Sequence, residues 1–123
     1  MPKDYPRTRR VGEQIQRELA MLVREEIKDP RLGMTTVSAV HVSRDFSHAK
    51  VYITVLGDAE VQRQSLEVLR RAAGFLRREL GRRMLTRTVP ELHFVYDESI
   101  ERGSRLDALI EQAVTEDKAR HRD

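Results

Sequence analysis

The chain of 123 residues contains no cysteine. That excludes disulfides, thiolate metal sites and cysteine nucleophiles, and it fits a cytoplasmic location. No run of 18 or more apolar residues occurs, so no membrane span is expected. The opening MPKDYPRTRR lacks the apolar run of a secretory signal. There is no HExxH, no Walker loop and no GxSxG. Asp97 and Glu98 follow an expected strand, but no nucleophile or phosphate loop accompanies them. No internal repeat or linker divides the sequence. An enzyme is therefore not expected, nor a cofactor or metal centre.

Four histidines are present: His41, His48, His93 and His121. None are at helical metal-ligand spacing. His41 and His93 can meet across neighbouring strands, though polar strand positions explain them better. Asp45 and His48 share one turn, where a hydrogen bond between them would steady the turn rather than serve acid–base work.

What the sequence has in abundance is charge. Charged residues make up 35% and hydrophobic ones 39%, as in a small soluble α+β domain with a charged surface. The net charge of +3 is unevenly spread. Residues 63–87 hold eight Arg against two Glu, and residues 1–12 hold four basic groups against Asp4. Residues 97–123 carry eight acids and five bases. A concentrated positive field beside a neutral or acidic remainder is the footprint of a polyanion partner; the alternative is a solvated helix face.

Hydrophobic periodicity predicts the elements. Val11, Ile15, Leu19, Leu22, Val23 and Ile27 recur at steps of three and four, predicting a helix from 7 to about 28. Thr8 is its candidate cap and Pro30 its terminator. TTVSAVHVS at 35–43 is rich in β-branched residues and reads as a strand. In AKVYITVL at 49–56, Val51, Ile53 and Val55 alternate with Lys50, Tyr52 and Thr54, predicting a second strand hairpinned to the first through SRDFSH. Residues 59–85 read as a helix interrupted at Gly74. VPELHFVY at 89–96 predicts a third strand with Leu92, Phe94 and Tyr96 on one face, and Pro90 suggests a strand end or sheet edge. A last helix is expected over about 99–114, with Leu106, Leu109, Ile110 and Val114 inward. Residues 1–115 would form one domain and 116–123 a disordered polar tail. The three strands would make one sheet, covered on one face by helices and polar on the other.

On a helical wheel of residues 59–85, Leu66, Leu69, Ala73, Leu76, Leu80 and Met84 form a stripe. Arg71, Arg78 and Arg82 fall opposite, and Arg70 and Arg77 flank it. The arginines are therefore expected to project as a ridge suited to bidentate phosphate contact. Phe75 does not fit a straight wheel. Either a kink at Gly74 returns it to the core, which is the better reading, or it is exposed and stacks on a base. Ala72, Ala73 and Gly74 form a small-residue notch. It suits the approach of a sugar-phosphate backbone or, equally, tight helix packing.

These stretches together resemble the ribosome-binding factor A family, which has a type II KH-like fold. IKDPRLG (27–33), VSRDFSHAKVYITV (42–55), AAGFLRRELGRRM (72–84) and VPELHFVYDESIERG (89–103) carry the likeness, which covers nearly all of residues 5–114. No two glycines stand in the GxxG spacing of KH domains; Ala72-Ala73-Gly74 occupies that junction instead. The resemblance implies an order α-β-β-α-(kink)-α-β-α and a non-catalytic factor. It would bind 16S rRNA within free or immature 30S subunits late in their maturation. It would also support processing of the 16S 5′ end, including growth in the cold. The implied rRNA-facing residues are Ala72 and Gly74 with Arg70, Arg71, Arg77, Arg78, Arg82 and Arg83. Charge adds Arg7, Arg9 and Arg10 as phosphate contacts. Without GxxG, shape and backbone readout replace a four-nucleotide clamp. Nothing suggests an oligomer, so a monomer is expected. The alternative is a protein-interaction module or translation regulator on the ribosome without direct rRNA readout.

Overall fold

Helix α1 (Arg7–Glu26) buries Ile15, Leu19, Leu22 and Val23 on the stripe that the periodicity predicts. The computed structural model describes residues 6–84 and 88–99. The expected last helix at 99–114 and the tail 116–123 thus lie outside the described residues, Ser99 apart. Helix α1 begins at Arg7 as expected, but its cap and its end differ from expectation. Thr8 lies inside the helix, and the residue before the first turn is Pro6, whose carbonyl accepts from Arg9 N (3.0 Å) and Arg10 N (3.2 Å). The helix also stops at Glu26 rather than about 28, because Ile27 turns extended (φ −94°, ψ 109°) and packs against the core.

Strands β1 (Met34–Val42) and β2 (His48–Leu56) form an antiparallel hairpin, and β3 (Glu91–Tyr96) pairs parallel with β2, giving the order β1-β2-β3. β3 is therefore an edge, where Pro90 is tolerated. On β2, Ala49, Val51, Ile53 and Val55 are buried while Lys50, Tyr52 and Thr54 point to the other face. Strand β1 breaks this alternation. Its register slips between Val37 and Ala39, so Val37 and Val40, three residues apart, both face the core. A bulge shifts the period of two by one residue. Gln16 of α1 donates its side-chain amide to the Val37 and Ser38 carbonyls at the bulge, both at 3.1 Å. Helix α1 presses on this strand at Gly12, where a β-carbon would stand 2.6 Å from the Val40 carbonyl oxygen.

The hairpin turn is organised by Asp45. Its carboxylate accepts from Ser43 Oγ (2.8 Å), Ser47 Oγ (2.7 Å) and Ser47 N (3.1 Å), and Phe46 takes a left-handed φ of 61°. These bonds hold the Asp45 carboxyl down at about 2, the Ser47 hydroxyl contributing most. The expected Asp45–His48 contact does not form, since the two serines occupy the carboxylate.

Helices α2 (Ala59–Arg71) and α3 (Ala73–Met84) complete the layer over the sheet. Asp58 caps α2 by accepting from Val61 N at 3.0 Å. Leu69, Leu76 and Leu80 are fully buried with Phe94 of β3.

Candidate nucleic-acid interface

The break falls at Ala72, two residues before the expected Gly74. Ala72 N donates to the Val68 carbonyl (3.0 Å) and Leu76 N to the Ala72 carbonyl (2.8 Å), so hydrogen bonding runs through it. Its ψ of 0°, against about −42° in a helix, turns the chain. The turn re-phases α3. Phe75 packs against the core rather than among the arginines, and Leu76 and Leu80 reach it fully.

Gly74 is exposed in the first turn of α3. A β-carbon there would meet only Arg78 Nη1, at 3.8 Å. The residue does not have a positive φ. Neither packing nor backbone conformation therefore requires glycine, and tight helix packing does not account for it. The result is a patch of bare backbone with a guanidinium beside it.

The arginine ridge divides. Arg70 donates from Nε (3.1 Å) and Nη2 (2.9 Å) to the Phe94 carbonyl, and Arg77 from Nε to the Val89 carbonyl (2.9 Å). Both tie the helices to β3 and its approach. Arg83 pairs with Glu25 (3.3 Å) and Glu18 (3.6 Å) of α1, and Arg82 with Glu79 (3.3 Å). Arg63 is held by Glu60 and Glu67. Arg71 and Arg78 are exposed and make no hydrogen bond or ion pair among the described residues. A helical wheel shows which side of a helix is wet. It does not show which wet side chains bend back to a carbonyl.

The link between α1 and β1 adds a cation that charge counting overlooked. Arg31 grips Asp29 through Nε (3.1 Å) and Nη2 (2.7 Å). These bonds draw the Asp29 carboxyl down to about 2, with a smaller push from the charge of Arg71. Arg31 in turn feels Glu67 of α2. The Asp29-Pro30-Arg31 turn therefore sits near the last turns of α2, just before Ala72. The signal in the sequence is the Asp-Pro-Arg triplet, whose proline fixes the geometry between the charged neighbours.

The N-terminal arginines are engaged unequally. Arg7 lies over the Phe46 ring, 5.4 Å from its centre. Arg9 pairs with Glu13 at 3.7 Å. Arg10 and Arg17, two turns apart on α1, line one shallow groove with Arg7.

A three-stranded mixed sheet with helices on one face and a one-residue helix break over it defines an α+β domain of the KH-like class. The chain belongs to the ribosome-binding factor A family, whose sequence pattern matches residues 7–110. It is 63% identical to ribosome-binding factor A of Thioalkalivibrio sulfidiphilus, over all of this chain and 95% of that one. Against the Ectopseudomonas mendocina protein of the same name it is 60% identical, over all of this chain and 97% of that one. The crystal structure of the Thermus thermophilus factor superposes with a TM-score of 0.65 at 32% identity, covering 72% of this chain and 93% of that one. A homology model of the Thermus factor, fitted into a cryo-electron microscopy map of its complex with the 30S subunit, matches with a TM-score of 0.61 at 34% identity, covering 71% of this chain and 91% of that one.

Proposed function

We propose that this chain binds the 30S ribosomal subunit by laying the α2–α3 junction against 16S rRNA, and that it acts late in maturation of that subunit. The observation that carries the reading is the exposed backbone at Gly74 with Arg78 Nη1 poised 3.8 Å from its missing β-carbon. A phosphate can approach a bare backbone closely, and an unpaired guanidinium beside it supplies two parallel donors. Arg71 and Arg78 are the primary phosphate ligands in this reading, with Arg82 and Arg31 alongside. Arg70, Arg77 and Arg83 hold the junction in place, and Ala72 sets its angle. Arg10, with Arg7 and Arg9, extends the contact. The Thermus relative's placement in a 30S complex supports the particle assigned here.

The factor acts without catalysis. It would occupy rRNA near the 16S 5′ end, favour the conformation that is processed, and leave, a service most needed in the cold where misfolded rRNA persists. It would do so as a monomer in the cytoplasm. No helix among the described residues is long and apolar enough to cross a membrane.

The test is co-sedimentation with 30S subunits from mature and assembly-stalled cells at two salt concentrations. Wild type should travel with the subunit, and a folded Arg71→Glu/Arg78→Glu variant should stay at the top of the gradient. Equal binding of both would move the interface elsewhere. Unchanged precursor rRNA on deletion would remove the role in maturation. One observation favours an added protein contact: Met34 and Leu56 face each other at the hairpin's open end, both 74% exposed. Binding through that end would be weakly salt-dependent and indifferent to the arginines.

A further inference from the structure

Parallel pairing of β2 and β3 brings together three side chains that lie far apart in sequence. His48 stands opposite Glu91, and Lys50 opposite His93, so His48, Glu91 and His93 share the face that the helices leave uncovered. His48 Nδ1 lies 2.9 Å from His93 Nε2 and 3.7 Å from Glu91 Oε1. One donor atom from each of the three falls within 4.8 Å of the others, and all three residues are exposed. The backbone beneath them is tied, since Glu91 N donates to the Ser47 carbonyl at 2.9 Å and Ser43 N to the His48 carbonyl at 2.8 Å.

We propose that His48, His93 and Glu91 form a surface site for a divalent transition-metal cation, of which Zn²⁺ is the representative. The distances suit such an ion. With metal–nitrogen bonds of about 2.0–2.1 Å, two ring nitrogens stand about 2.9 Å apart at a right angle and about 3.3 Å apart at a tetrahedral angle. The His48–His93 separation falls at the lower of these, and a small side-chain rotation brings Glu91 to the third position. Two imidazoles and one carboxylate are a borderline donor set, favouring Zn²⁺, Ni²⁺ or Cu²⁺ over Mg²⁺ and Ca²⁺. Without metal, the two rings share one hydrogen bond, one nitrogen donating and the other accepting. Binding puts the donating ring in its other tautomer, its proton passing through solvent to the second ring nitrogen, so that both facing lone pairs lie on the cation. Water completes the coordination because the face is open. The bound ion would clamp the first residues of β2 to the first residues of edge strand β3.

His41 takes no part. It lies on β1, across β2 from β3, with its ring edge against Tyr52 at 5.2 Å between centroids. The sequence expectation of a His41–His93 meeting is thus replaced by His48–His93. Strand order decided it, since β2 rather than β1 neighbours β3.

The experiment is calorimetric titration of the full chain with ZnCl₂, and with MgCl₂ as control, paired with thermal melts. One Zn²⁺ per chain should bind with a Kd in the micromolar range and raise Tm, while Mg²⁺ does neither. His48→Gln and His93→Gln should each weaken binding by at least about tenfold, as expected for loss of one of three ligands. Their metal-free melts should match wild type, because both side chains are exposed. A His41→Gln/His121→Gln variant should bind as wild type does. The site is refuted if no one-to-one binding appears below about 100 µM, a free energy near −5.5 kcal/mol. It is refuted equally if binding survives loss of His48 or His93. In either case the pair is a hydrogen bond and nothing more.

Discussion

Arg70 on α2 donates two hydrogen bonds to one acceptor, the Phe94 carbonyl on β3, at 3.1 and 2.9 Å. Its neighbour Arg71 makes none among the described residues. Adjacent arginines in one basic run thus do different work. Arg70→Ala should lower stability by about 1–2 kcal/mol, because a charge-assisted pair is lost and a partly buried carbonyl is left open. Arg71→Ala should stay within about 0.5 kcal/mol of wild type, as surface changes do. Urea unfolding of the two variants checks the contrast.

Gly74 and Gly12 should respond oppositely to alanine. At Gly74 the new β-carbon meets only Arg78 Nη1 at 3.8 Å. Stability should hold or rise by up to about 1 kcal/mol, the helical preference of Ala over Gly. If the junction meets rRNA as proposed, affinity for 30S subunits should fall, because the added methyl would hold the rRNA backbone away. Thermal melts and co-sedimentation of one variant give both readings.

At Gly12 the β-carbon would lie 2.6 Å from the Val40 carbonyl oxygen. Gly12→Ala must push α1 off β1, at a cost of about 1–3 kcal/mol typical of overpacking. A Tm equal to wild type would show that the helix does not press on the strand as described.

Salt dependence separates phosphate ligands from scaffold. Arg71→Gln and Arg78→Gln should each reduce the slope of log affinity against log salt by about 0.7–0.9, one phosphate contact apiece. In Arg77→Gln the slope should change little while stability falls, since Arg77 serves the Val89 carbonyl. Filter binding to a 16S fragment over a salt series is the measurement.

The hairpin turn should carry a titration. Asp45 is held at about 2 by the Ser47 and Ser43 hydroxyls and the Ser47 amide. An unfolded Asp titrates near about 3.9. The folded value is the lower, so the turn's contribution is complete above the unfolded value and disappears as pH falls through about 2. Carboxyl NMR shifts of Asp45 should show that midpoint, and Ser47→Ala should move it upward.

Features that depend on local pattern can be recognised in the chain before it folds. The α1 stripe and the β2 alternation are legible there, because burial on one face imprints a repeat of 3.6 or 2 residues; the strand edge is legible from Pro90, and the return of Phe75 to the core from its misfit to a straight helical wheel. A bulge erases that repeat in β1, which is why Val37 and Val40 could not be phased in advance. Sequence pattern locates the helix break to within two residues and points to the glycine. The structure puts it at Ala72, where bonds from Ala72 N to Val68 and from Leu76 N to Ala72 hold the turn without one. Which arginines face outward unpaired and which bind β3 or α1 follows from the packed fold, as does the meeting of His93 with His48 rather than His41. Those outcomes depend on which strand lies beside which. That is settled when whole faces pack together, through contacts between residues too distant in the chain to leave a local pattern.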